Sequence, residues 1–101
     1  MIIDARSLPS EESLETHVCI IGAGPAGLTL AREFANQNFQ VTLLESGGFE
    51  FDSEIQSLNT GKVIGDPYPE LSGTRRRQFG GTSHTWEGQN GYKNMDFAVF
   101  P

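Results

Sequence analysis

Cations are scarce in this sequence: seven Lys and Arg stand against thirteen Asp and Glu, for a formal net charge of −6. Nucleic acid and anionic membrane surfaces reward clustered Lys and Arg, through released counterions or surface potential, so neither is an expected partner. Cysteine is scarcer still. With Cys19 alone, no disulfide framework and no cysteine-based metal site can form within the chain, which fits a reducing compartment and gives a cytoplasmic expectation. That thiol, mid-strand, is expected to be buried and unreactive. Long apolar runs are missing too, since Val18 to Ile21 falls far short of the roughly 20 residues that cross a bilayer. Met1 to Leu14 is acidic, not a basic stretch leading into an apolar core, so no export signal is visible. No internal repeat is present. What remains, at 101 residues with 37% hydrophobic and 20% charged, is the composition of one small domain.

Glycine, by contrast, is abundant and ordered. His17-Val18-Cys19-Ile20-Ile21-Gly22-Ala23-Gly24-Pro25-Ala26-Gly27 is an apolar strand running into a GxGxxG turn. In such a turn the first glycine permits the tight bend, the second admits a pyrophosphate to the backbone, and the third lets helix pack on strand. The first amides of the following helix lack intrahelical partners and carry the positive end of its dipole, so a pyrophosphate can sit there without Lys or Arg. Pro25 suits a first helical turn. Leu28, Ala31, Phe34 and Ala35 recur at helical spacing, which predicts a helix from Pro25 to Asn36 or Gln37. Gln40-Val41-Thr42-Leu43-Leu44-Glu45 predicts a second, parallel strand, apolar because both faces are covered. Glu45 ends it, 18 positions after Gly27 and close to the spacing of about 20 for a carboxylate that accepts from an adenosine ribose. Its charge would repel a 2′-phosphate. The pattern is an α/β one, a partial Rossmann-like βαβ unit over about 17–46. By itself it does not choose between NAD and FAD, and a purely structural turn is the alternative.

From about Phe49 onward the sequence carries glycines, prolines and scattered aromatics without periodicity, predicting a long irregular segment over about 47–101. So much loop in a compact domain suggests a stretch that wraps a ligand or packs on a larger protein. Within it, Arg75-Arg76-Arg77-Gln78-Phe79-Gly80-Gly81-Thr82-Ser83-His84-Thr85-Trp86-Glu87-Gly88 places cations before a glycine pair, small hydroxyls and an aromatic. Gly80 and Gly81 remove side chains where a ligand could approach, and Thr82 and Ser83 can cap a helix. A solvated basic turn before a capped helix is the equal alternative. Trp86 reads equally as packing over a ligand or as a core anchor.

These two separated motifs, the second closing with Asp96-Phe97, resemble the N-terminal region of the glucose–methanol–choline oxidoreductases, flavoenzymes that oxidise alcohols or sugars. The resemblance implies FAD as cofactor. It places Gly22, Ala23, Gly24 and Gly27 along the pyrophosphate, Glu45 at the adenosine ribose, Arg77 near the cofactor, and Gly80, Gly81, Thr82 and Ser83 near the flavin, with Pro25, Ala26 and Ser46 among the cofactor-binding residues. Some members attach flavin through a histidine at the position held here by Thr85, with His84 one residue early. Threonine cannot form that bond, so noncovalent FAD is expected. His84 is expected to bond locally, and His17, where an acidic residue is common, to lie exposed at the strand edge. Arg75 and Arg76 are expected to be solvated or paired with acids.

Family members deprotonate a substrate hydroxyl with a late histidine, paired with histidine or asparagine, as hydride moves to flavin. Neither His17 nor His84 matches that base, so no catalytic residue is assigned and the substrate domain is expected to lie outside the sequence. The expectation is therefore an incomplete domain of a larger flavoenzyme acting on CH–OH groups, dependent on the rest for stability. A noncatalytic nucleotide-binding module is a second reading. A third is another FAD enzyme, such as a flavin monooxygenase, against which the Gly80 to Trp86 string argues.

Overall fold

The computed structural model describes residues 1–85, so Trp86, Asp96 and Phe97 lie outside the described residues. A 3-10 turn, Ala5–Ser7, precedes strand β1 (Val18–Ile21), helix α1 (Pro25–Phe34) and strand β2 (Val41–Leu44). Two short helices follow, α2 (Ser53–Ser57) and α3 (Leu71–Thr74), and a 3-10 helix at Gly81–Thr85. The strands pair in parallel with Val18 opposite Val41 and Ile21 opposite Leu44. With α1 as the crossover this is the βαβ unit of a partial Rossmann-like fold.

The strand period of two divides the sheet. Val18, Ile20, Val41 and Leu43 share the face under α1, whereas Cys19, Ile21, Thr42 and Leu44 share the other. Ile20 is 7% exposed and Ile21 is 85% exposed, so one face is covered and its opposite is open among the described residues. This corrects two expectations: β2 is not covered on both sides, and Cys19 is exposed because it points the same way as Ile21. Ahead of β1, the Gln40 carbonyl accepts from Thr16 Oγ1 at 2.8 Å, His17 N at 3.0 Å and Val18 N at 3.1 Å. The Gln40 amide in turn donates to His17 Nδ1 at 2.8 Å, with the imidazole exposed. These bonds fix the register from its first rung.

Helix α1 stops at Phe34, two to three residues earlier than its spacing predicts. Ala35 N donates to Arg32 O and Gln37 N to Phe34 O, tightening the chain, and Phe34 meets Phe39 edge-on with ring centroids 5.7 Å apart. The chain must reverse within the Asn36 to Asn38 stretch for those rings to meet, so packing ends the helix. The later segment is less irregular than expected. Asp52 Oδ1 accepts from Glu54 N and Ile55 N, capping α2, and a helix of five residues is too short to show a period.

Gly27 is where helix and strand approach most closely: a Cβ there would overlap the Gly22 carbonyl oxygen and press on the Ile20 side chain. Gly27→Ala is expected to lower stability by about 1–3 kcal/mol, as overpacking does. The check is the urea unfolding midpoint. An unchanged midpoint would mean that α1 can move away from β1 without loss.

Candidate functional site

The glycine turn crosses the carboxyl end of the sheet. Gly22 N donates to Leu44 O at 2.7 Å, adding one rung beyond the strands, and Gly22 has φ +102°, a left-handed value. Gly24, the N-cap of α1, is different. Its φ of −79° suits any residue, and a Cβ there would meet nothing within 4 Å. The fold therefore has no need of glycine at 24; what glycine preserves is the open space before the helix. No side chain caps α1, although Ser, Thr, Asp and Asn are the usual choices. Among the described residues no acceptor meets the amides of Gly24, Ala26 or Gly27. Three donors without acceptors and the positive helix end thus border the open space beside Gly24, an arrangement suited to a diphosphate.

Glu45 stands at the other side of this turn. Its Oε2 accepts from Ala23 N at 2.7 Å and its Oε1 from Gly47 N at 2.9 Å. A carboxylate has about four acceptor positions, so two remain for donors such as ribose hydroxyls. Beside β2 a groove of about 530 Å³ runs from Val41 and Leu43 to Glu45, Gly47, Phe49 and Phe79. It gives the carboxylate an apolar neighbour of the kind a flat base requires.

The second motif is docked onto the first. Gln78 Nε2 donates to Phe49 O at 2.7 Å, Phe79 N to Gly48 O at 2.9 Å, and Gly80 N to Ala23 O at 2.7 Å. Gly81, buried, lies so near Gly24 that a Cβ on it would come within 2.9 Å of the Gly24 Cα. The residues singled out at 22–27, 45–46 and 77–83 are therefore one cluster in space. Arg77 reaches Ser46 Oγ through Nη1 at 3.0 Å and Asn59 Oδ1 through Nε at 2.9 Å.

Some details differ from expectation. Thr82 and Ser83 lie inside the 3-10 helix and do not cap one: Ser83 Oγ donates to Gly80 O at 2.6 Å, and Thr82 O accepts from Thr85 Oγ1 at 2.8 Å. Of the two outcomes expected for Arg75 and Arg76, pairing with acids does not occur among the described residues, and Arg75 is exposed. Arg75 donates to Thr74 Oγ1, and Arg76 stacks over Phe51 at 5.0 Å from the ring centroid. His84 Nε2 is hydrogen-bonded to Phe79 O at 2.6 Å. The one ion pair among the described residues joins Arg6 to Asp4 in the exposed N-terminal segment, where the hydrogen bond from Arg6 holds the Asp4 carboxyl at about 2. No group of acids, histidines and cysteine that could hold a metal occurs among the described residues, and none of their helices is long and apolar enough to cross a membrane.

A strand, a glycine turn, an uncapped helix and a terminal carboxylate in this arrangement define the dinucleotide-binding class. More specifically, the chain belongs to the FAD dependent oxidoreductase family (DAO), whose profile matches residues 17–89, and FAD is its cofactor. It is similar to Lysine-specific histone demethylase 1 homolog 3 of Arabidopsis thaliana, at 54% identity over 39 residues, 39% of this chain and 2% of the relative. It is also similar to 6-methylpretetramide 4-monooxygenase of Streptomyces rimosus, at 38% identity over 72 residues, 68% of this chain and 17% of the relative. The chain thus spans a small part of the length of either. No solved structure gives a significant match.

Two substitutions separate the fold from the ligand space. Gly24→Ala is expected to leave the urea midpoint unchanged while weakening FAD binding at least about tenfold, because its methyl enters only the open space. Glu45→Gln sets an NH2 group against one of two amide donors, and is expected to lower the unfolding free energy by about 1–3 kcal/mol, and with it the urea midpoint, as well as weaken FAD. Equal FAD affinity in Gly24→Ala and the parent would remove the diphosphate from this turn.

Proposed function

We propose that the chain forms the ADP-binding side of an FAD-dependent oxidoreductase that oxidises CH–OH groups of alcohols or sugars. The observation that carries the reading is the docking of the Gly80–Gly81 arm on the glycine turn, through Gly80 N on Ala23 O. It supports the view that the two motifs act as one site, as the resemblance to glucose–methanol–choline oxidoreductases implies. The turn from Gly22 to Gly27, including Pro25, carries the pyrophosphate, with donors at Gly24, Ala26 and Gly27. Glu45 and Ser46 meet the adenosine ribose, Arg77 borders them, and Gly80 to Ser83 lie toward the flavin. FAD, when bound, supplies the hydride acceptor.

The chain's own part is to bind and orient. His17 and His84 are each engaged with backbone, and neither serves as the base that takes the substrate proton. The flavin is held noncovalently, because Thr85 offers no nucleophilic nitrogen at the position where a linkage would form. Residues 47–101 cover the cofactor in this reading.

A second reading is an FAD monooxygenase, favoured by the Streptomyces rimosus relative, which aligns with 68% of the chain. The two differ in what reduces the flavin. Under anaerobic conditions, the full-length FAD-loaded protein is expected to lose its visible flavin absorbance on adding an alcohol or sugar, with no nicotinamide present. Reduction by NAD(P)H alone, followed by oxygen consumption, would overturn this in favour of the monooxygenase. Acid precipitation is expected to release the flavin into the supernatant; flavin pelleting with the protein would contradict noncovalent binding.

A further inference from the structure

Arg77 is gripped at main chain and side chain by two amide residues three positions apart. Gln56, on α2, is only 8% exposed. Its Oε1 accepts from Arg77 N at 3.0 Å, and its Nε2 donates to Ser72 O at 2.7 Å and Arg75 O at 2.5 Å. Three bonds from one buried amide thus fix the path of residues 72–77. Asn59, just past α2, accepts from Arg77 Nε through Oδ1 at 2.9 Å. Its Nδ2 is buried and without a hydrogen-bond partner among the described residues.

An orphaned buried donor is a desolvation cost with no return. What Asn59 contributes at this place is its oxygen, and that oxygen serves Arg77. The guanidinium has five N–H donors in a planar fork. With Nε on Asn59 and one Nη1 hydrogen on Ser46 Oγ, three donors remain, and no carboxylate among the described residues pairs with them. Ser46 follows Glu45 directly, so the fork is held at the carboxyl end of β2 with unused donors.

We propose that Gln56 and Asn59 are positioning residues for the FAD site. They act through Arg77, clasping its backbone and its Nε so that the remaining N–H groups meet oxygen acceptors on the ADP half of the cofactor. This rests on the reading that places Arg77 beside the cofactor. A free arginine side chain would lose its rotamer freedom on binding, whereas the clasp has already removed it.

The test is FAD affinity by titration of flavin fluorescence in the full-length apoprotein, with the thermal midpoint as a check on folding. Arg77→Ala is expected to weaken FAD by about 10-fold to 100-fold, the effect of a lost charged hydrogen bond. Asn59→Ala is expected to do most of the same, and the double variant to bind no more weakly than Arg77→Ala alone. A purely structural role leaves one further quantity unmoved: the fall of FAD affinity with ionic strength, to which the Arg77 charge contributes. That dependence is expected to flatten in Asn59→Ala as in Arg77→Ala, although asparagine carries no charge. Full additivity, or an unchanged salt dependence in Asn59→Ala, would overturn the clasp while leaving Arg77 at the cofactor. An unaltered FAD affinity in Arg77→Ala would instead remove the placement of Arg77 itself, and the clasp with it.

Discussion

The bridge that the Glu45 carboxylate makes between the amides of Ala23 and Gly47 is the interaction on which the rest of the cluster depends. The parallel ladder ends one rung past Ile21, at Gly22, and beyond it two loops leave the sheet with unpaired backbone groups. A single carboxylate joins them. Hydrogen bonds to an ionised acceptor are stronger than neutral ones, and this acceptor is only partly exposed. Ala23, whose amide is so occupied, also accepts from the Gly80 amide through its carbonyl. Gly48, next to Gly47, likewise offers its carbonyl to Phe79. The arm of the second motif is thus held on carbonyls of the two loops that Glu45 joins.

The same bridge divides the turn into structural and available donors. Ala23 is engaged by a carboxylate, whereas Gly24, Ala26 and Gly27 meet no acceptor among the described residues. A diphosphate drawn to the second group is kept from the first, and so from direct competition with the Glu45 charge. The carboxylate positions still vacant favour hydroxyl donors over a further phosphate, by charge alone. On the proposed placement of the adenosine ribose at Glu45, ribose recognition and exclusion of a 2′-phosphate are two outcomes of one residue's position.

Strand β1, the turn, the start of α1 and β2 were legible in the sequence because their determinants are local. Pro25 presets the first helical turn, and the absence of a Cβ at Gly27 is needed by a carbonyl only five residues earlier. The sidedness of β1 was not legible. Period two says that Cys19 and Ile20 face opposite ways but not which face is covered, and only the position of α1 decides it. The end of α1 depends on Phe34 meeting Phe39, and the helix-capping role read into Thr82 and Ser83 fails because their segment coils into a 3-10 helix on the α1 terminus. Gln56 and Asn59 gave no signal at all. Their partner Arg77 lies 21 and 18 positions away, and the pairing of polar side chains with distant backbone leaves no period to find.

The balance of forces explains why so small a unit can be so specific. Among the described residues the buried apolar side chains are Ile20 and Ala23, while Ile21 and Ile64 are more than four-fifths exposed. Apolar burial therefore fixes the strand and helix but not the loops around the turn. Those are set by a lattice of polar contacts, Glu45 to Ala23 and Gly47, Gln78 to Phe49, Gln56 to the backbone of 72–77, each contributing modestly and each strict in geometry. Such a lattice positions donors without filling the space between them. A packed hydrophobic loop would have covered the open space beside Gly24. The open amides at the start of α1 and the scarcity of apolar contacts around them are thus two aspects of one arrangement, in which polar contacts fix the backbone and leave Gly24, Ala26 and Gly27 without an acceptor among the described residues.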